Sequence, residues 1–217
     1  MITVVGNLKG GTGKSTVVFN LALWLEYQGN PVRLFDLDPQ GTLSDTIEVR
    51  NEELYEPAIR VESSLPSRIK GAAFVDVGTS DMDALRQALA RADRIIMPVT
   101  PSQADVWSTQ RFIGIIKEAT KHKKTKPELI AFINRADTHH MTRENDETLE
   151  ALTQLKGVRI LKPRLSQRID FRRSFSEGLS VFELNPGGKA AAEIDALAIT
   201  LNTPQKKSQK KKPKKKK

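Results

Sequence analysis

The side chains best able to do chemistry sit within the first sixteen residues. Lys9-Gly10-Gly11-Thr12-Gly13-Lys14-Ser15-Thr16 places three glycines just before a helical pattern. Glycines let successive backbone N–H groups turn inward on one centre, and a helix beginning there adds its positive end, so the segment suits a phosphate chain. Lys14 can reach terminal phosphates, and the Ser15 hydroxyl can ligate magnesium. The standard G-x-x-x-x-G-K-S loop needs a glycine at position 8, where this chain has Leu8. The spacing is therefore a deviant one, with an additional Lys9. Nothing in backbone cradling requires that lysine, whereas phosphoryl transfer gains from an extra cation, often supplied from a second subunit.

Three carboxylates follow apolar runs. Asp36 and Asp38 flank Leu37 after Val32–Phe35, and Asp76 follows Ala73-Phe74-Val75. Alternation sends Asp36 and Asp38 to opposite sides unless the strand has already ended. Two turn-forming aspartates before Pro39 are the plain alternative. Asn134-Arg135 follows a fifth apolar run, where an ordinary turn is an equally simple reading.

These groups need a scaffold that brings strand ends together. Strands are expected at 2–6, 32–35, 72–77, 94–99, 129–133 and 158–161, with helices at 15–28, 82–91, 103–120, 142–155 and 187–202. Residues 49–70 carry the weakest pattern, with room for a short edge strand near 54–61 and a loop. Alternating strands and helices predict an α/β fold: a three-layer, mostly parallel twisted sheet with helices on both faces, as in P-loop NTPases. Ligands of such sheets bind beyond the carboxyl ends of the strands, where every polar cluster named above falls.

Composition narrows the function classes. The 217 residues suit one domain, and 38% hydrophobic with 28% charged residues is ordinary for a globular chain, so no membrane-embedded class is called for. No run is long enough to span a bilayer, and no signal-peptide pattern opens the sequence. With no cysteine, a thiolate metal site or disulfide scaffold is excluded, which fits a cytoplasmic address. His122, His139 and His140 show no metal-ligand spacing. The net charge of +9 belongs to Lys206–Lys217, because residues 1–205 hold equal numbers of basic and acidic side chains. Residues 1–203 are expected to fold, and 204–217 to form a disordered polylysine tail.

Lys9–Thr16, then Asp36-Leu37-Asp38-Pro39-Gln40-Gly41, then the Asp76 strand resemble, in that order, the ParA/MinD family of deviant-Walker ATPases. The similarity is greatest to small ParA-type partition proteins without an N-terminal helix-turn-helix, and Pro98–Ser102, Asp105-Val106-Trp107, Ile133-Asn134-Arg135 and Arg168–Val181 extend it to about residue 202. The resemblance implies ATP and Mg2+ as cofactors. It makes Lys9 the lysine that crosses a dimer interface to the partner's nucleotide and Lys14 the phosphate lysine. Gly10, Gly11, Thr12, Gly13, Ser15 and Thr16 become the cradle, and Asp38 orients the attacking water. Ser15, Asp36 and Asp76 belong to the metal shell, and Asn134 to the adenine edge. Where the family continues Asp-Thr/Leu-Pro-Pro-Ser, this chain reads Asp76-Val77-Gly78-Thr79-Ser80, and Gly78 is expected to loosen the segment.

The same resemblance implies a homodimer on ATP binding, non-specific DNA binding at the nucleoid and hydrolysis stimulated by a ParB-like adaptor, with a plasmid, a chromosome region or a protein body as cargo. Arg164, Arg168, Arg172 and Arg173 are the candidate DNA contacts on the domain. Lys210, Lys211 and Lys212 stand for the tail, whose lysines would release counterions from phosphates. Lys117, Lys121, Lys123, Lys124 and Lys126 read as an exposed helix end. A MinD-like ATPase at the membrane surface and a weakly hydrolysing ATP-bound DNA scaffold remain alternatives.

Overall fold

Each apolar run becomes a strand. In the computed structural model, which describes residues 1–138 and 143–203, they are β1 (Ile2–Val5), β2 (Val32–Asp36), β3 (Val61–Glu62), β4 (Ala72–Asp76), β5 (Arg94–Val99), β6 (Glu128–Ile133) and β7 (Val158–Ile160). His139, His140 and the tail expected over 204–217 lie outside the described residues. All ladders are parallel, in the order β3-β2-β4-β1-β5-β6-β7.

Neighbouring residues of one strand feed opposite cores, as the two-residue period requires. Val5, Leu34, Phe74 and Ile96 enter one core, and Val4, Phe35, Val75 and Met97 the other. The first is covered by α1 (Lys14–Tyr27), α2 (Thr42–Glu52), α6 (Ile169–Ser176), α7 (Val181–Leu184) and α8 (Lys189–Asn202). The second is covered by α3 (Met82–Arg91), α4 (Gln103–Ala119) and α5 (Glu144–Thr153). Burial on both faces is why the strands read as continuous apolar runs, not as alternating ones.

Three expectations need correction. The edge strand is two residues long and sits at 61–62, and a helix, α2, lies where none was expected, ending within the first four residues of the weakly patterned stretch. Two further helices, α6 and α7, lie where no element was expected. These helices are polar and short, and tertiary partners hold them. Asp36, at the end of β2, accepts from the Ser44 backbone N–H (3.0 Å) and hydroxyl (2.9 Å), anchoring the first turn of α2, whose own N-cap is Gly41. At the other end the fully buried Arg50 meets Glu183 of α7 through both terminal nitrogens (2.8 and 3.0 Å) and donates to the carbonyls of Pro57 and Gly178. A buried guanidinium persists only when so completely paired.

Candidate nucleotide site

Gly6–Gly13 follows β1 and opens α1. Gly13 adopts φ 81°, a left-handed value open to glycine, and a Cβ there would stand 2.6 Å from Asn134 Nδ2. No side chain caps the N-terminus of α1, which leaves its first backbone N–H groups for a ligand. From the end of β6, Asn134 Nδ2 donates to the Thr12 carbonyl (2.6 Å) and Arg135 Nη1 to the Gly11 carbonyl. Two adjacent side chains thus hold the outward-facing carbonyls of the loop, so that its N–H groups face the other way.

Two cavities share Gly13, Thr16 and Phe175. The first, about 430 Å³, is lined by Gly10, Gly11, Lys14, Ser15, Asp38, Gln40, Thr42, Thr79 and Ser80. The second, about 470 Å³, is lined by Asn134, Arg135, Leu165, Ser166, Arg168, Phe171 and Arg172. One is polar and lies on the glycine loop; the other is largely apolar and walled by α6. A trough of this size and division suits a ligand with a phosphate chain at one end and a flat, less polar group at the other.

The carboxylates differ sharply. Asp36 is buried and engaged: Oδ1 accepts from Asp38 N (3.1 Å) and Oδ2 from Ser44. Because β2 ends at Asp36, Asp38 lies in the following turn, where Oδ1 accepts from Gln40 N (3.1 Å) and the side chain borders the polar cavity. Asp76, level with Asp36 in the next strand, is fully buried, and neither oxygen makes a hydrogen bond of good geometry. Burial pushes its carboxyl up to about 7; the charges of Asp36 and Asp38 add to the rise, and the Ser15 hydroxyl and Lys14 oppose it. Lys14 is itself buried, with no hydrogen bond among the described residues. A buried carboxylate without partners, next to a hydroxyl, is an all-oxygen donor set that fits a hard divalent cation such as magnesium.

Gly78 also makes a close approach that the sequence does not reveal. A Cβ at this position would overlap all three atoms of the Asp38 carboxyl group. The missing side chain is what lets Asp38 lie against the backbone that follows β4.

Lys9 lines neither cavity. Its ammonium pairs with Asp105 Oδ2 in the first turn of α4, and the lysine side chain is 47% exposed whereas Asp105 is wholly buried. Ser102 caps that helix and also donates to Asp105 Oδ2, while Asp105 Oδ1 has no partner. Sequence reading quoted Asp105 without giving it a role, although Ser102-x-x-Asp105 is the spacing of a reciprocal cap and could have marked it. Arg135, also missed, left a signal only in hindsight: its φ of 56° is rare for a side-chain-bearing residue. Trp107, half exposed on α4, lines neither cavity.

Three of the four candidate DNA arginines are paired with carboxylates. Arg168 is bound to Glu193 through Nε (3.0 Å) and Nη2 (2.7 Å), Arg164 lies 3.6 Å from Asp146, and Arg173 lies 3.6 Å from Glu177. Arg172 is exposed at the rim of the larger cavity. Lys210, Lys211 and Lys212 lie outside the described residues. Among the described residues no helix is long and apolar enough to cross a membrane, and no cluster of three or more His, Cys, Asp or Glu gathers around a common point.

Comparison with known proteins agrees with this geometry. Residues 3–181 match the CobQ/CobB/MinD/ParA nucleotide binding domain. The chain is 33% identical over 204 residues to the maintenance of carboxysome distribution protein A of Halothiobacillus neapolitanus, covering 87% of this chain and 90% of that one. It is 27% identical over 216 residues to protein ParA of Rhizobium radiobacter, covering 92% and 94%. Among solved structures, the McdA–ATP complex from Cyanothece superposes with a TM-score of 0.77 at 18% identity, over 94% of this chain and 97% of that one, a likeness of fold.

Proposed function

The chain belongs to the CobQ/CobB/MinD/ParA family of nucleotide-binding ATPases, and from that premise we propose that it is an ATP-gated positioning switch: a homodimer that forms around ATP and magnesium, holds DNA without sequence preference, and releases it when an adaptor of the ParB type stimulates hydrolysis. The observation that carries the nucleotide reading is Asp76, a fully buried carboxylate without hydrogen bonds of good geometry, next to Ser15 and Lys14, which line the cavity on the glycine loop. The names of its relatives, a carboxysome distribution protein and a ParA, support cargo positioning as the use of that site.

In this reading the loop N–H groups and Lys14 hold the phosphates. Ser15 and Asp76 are the residues that would hold magnesium, with Asp36 beside them. The metal, when bound, neutralises charge on the phosphates. Asp38 borders the same cavity and orients the attacking water, kept in place by Gly78. Asp36 does a second job: through Ser44 it ties the strand end to α2, so a shift at the phosphates reaches the Arg50–Glu183 pair and α7. The base lies in the larger cavity, against Phe175 and near Asn134.

Lys9 makes the switch a matter of two subunits. In the single chain it rests on Asp105; in the dimer it leaves that partner for the phosphate of its twin. Coulombic attraction to a triphosphate with its multiple charges exceeds that to one carboxylate, so ATP favours the exchange. Gel filtration with ATP, with ADP and with neither tests this. Wild type is expected to pair only with ATP, and Lys9→Ala to stay single and lose most of its phosphate release. A Lys9→Ala protein that pairs and turns over like wild type overturns the two-subunit reading.

A further inference from the structure

Because all strands run parallel, the sheet has two poles: the carboxyl ends of the strands form one and their amino ends the other. The loops that follow β1, β2 and β4 meet at the carboxyl pole, and in the strand order β4 lies between β2 and β1. The loop after β4, residues 77–81, therefore emerges between the strand that leads to Asp38 and the strand that leads into the glycine loop. Its Thr79 and Ser80 line the polar cavity together with Asp38 and Lys14.

This loop is fastened at both ends. Gly78 lies against the Asp38 carboxyl group, with no room for a Cβ between them. Asp81 caps α3, its Oδ1 accepting from the backbone N–H groups of Asp83 (3.0 Å) and Ala84 (2.9 Å). Thr79 is held between these two points. It is partly buried, its hydroxyl makes no hydrogen bond among the described residues, and β-branching leaves it few rotamers. Ser80 and Gln40, also on the cavity, are exposed. At 78–79 this chain has Gly-Thr where the family pattern has Pro-Pro, so the hydroxyl is a feature of this chain.

What a hydroxyl there can do follows from the needs of the reaction. A water that attacks phosphorus must turn a lone pair towards it, which leaves both of its O–H bonds to be held by acceptors. Asp38 supplies one: Oδ1 accepts from Gln40 N (3.1 Å), and Oδ2 accepts nothing among the described residues. With that carboxylate alone the second O–H is free to swing. A hydroxyl oxygen accepts as well as donates. The glycine-loop N–H groups and Lys14 already give the phosphates their donors, so the shortage is of acceptors.

We infer that the Thr79 hydroxyl is the second hold on the attacking water, accepting one O–H while Asp38 accepts the other. This rests on the reading of Asp38 in the proposed function and adds to it the group that fixes the water's orientation.

The full chain is compared as wild type, as Thr79→Val, which keeps the branched shape without the hydroxyl, and as Thr79→Ser, which restores it. Single-turnover phosphate release reads the chemical step. Equilibrium titration with a non-hydrolysable ATP analogue and magnesium reads binding without chemistry, and urea unfolding of the ligand-free chain reads the fold. Thr79→Val is expected to slow release about tenfold, the scale of one hydrogen bond, with analogue affinity and unfolding midpoint as in wild type. Thr79→Ser is expected to recover most of the rate. Weaker analogue binding at an unchanged rate would assign the hydroxyl to the phosphates and overturns the inference. So does Thr79→Ser as slow as Thr79→Val, which would make the shape, not the hydroxyl, the cause. Thr79→Val with the wild-type rate overturns it and leaves the ATP switch standing, whereas a wild type that releases no phosphate overturns both.

Discussion

The two poles of the sheet treat charge in opposite ways. At the carboxyl pole, Asp76 is buried without a hydrogen bond, Asp105 keeps one oxygen unpaired, and Thr12 has a buried hydroxyl with no partner. At the amino pole, Glu128 joins Arg94 and Arg159 (3.1 Å each), and lysines cap α3 and α4 from the solvent side. A buried polar group left unpaired costs roughly 1–3 kcal/mol, so a fold keeps several in one place only where a ligand completes them. Paired or solvated charge needs no such completion. Discord marks the site; satisfaction marks the scaffold.

Replacing Lys14 by Ala should break the carboxyl pole most severely. Phosphate release is expected to fall about 10²- to 10³-fold, the scale for one preorganised charge in a reaction site. A loss of less than tenfold would mean that the phosphates lie elsewhere.

Asp76→Asn separates stability from function. The folded carboxyl is raised to about 7 from an ordinary 3.8, so the folded chain holds a proton that the unfolded chain gives up as pH rises between those values. Stability of the ligand-free wild type therefore falls as pH rises from about 4 to about 7, by up to roughly 4 kcal/mol. The variant lacks that penalty. Urea unfolding should show Asp76→Asn gaining most at pH 8 and little at pH 4.5, while magnesium-dependent hydrolysis is lost. An equal gain at both pH values would separate the effect from ionisation.

Gly78→Ala sharpens the comparison within the active pole. Displacing the Asp38 carboxyl group should reduce turnover about 10- to 100-fold, as small misplacements do, with ATP affinity nearly unchanged. Loss of affinity instead would show that Gly78 serves the cradle. The smallest effect is expected at the other pole: Arg94→Ala opens a partly exposed ion pair, and chemical denaturation should register about 1 kcal/mol or less, with ATPase activity intact.

Spacing alone made much of the site legible. Lys9–Thr16 and the carboxylates that follow apolar runs announce strand ends and a phosphate cradle, because those signals are local. The register of the sheet then places Asp36 level with Asp76, as two parallel strands ending in Asp would suggest. The polar helix α2 was invisible: only Leu43 and Ile47 give it an apolar face, and the group that anchors its first turn belongs to β2. The contact at Gly78 was hidden for a related reason. A glycine after a strand suggests freedom when read alone, and its meaning lies in the carboxylate packed on it.

By itself the sequence determined the chemical types, the alternation of strands and helices, and the concentration of lysine near the C-terminus, all carried by residues close together along the chain. Only the tertiary structure decided that Lys9 rests on Asp105, 96 positions away, that Asn134 braces Thr12 across 122, and that Arg159 joins Glu128 to the Thr200 carbonyl. Strand order sets these meetings, and it follows from how the whole set of apolar faces packs, which no local period records.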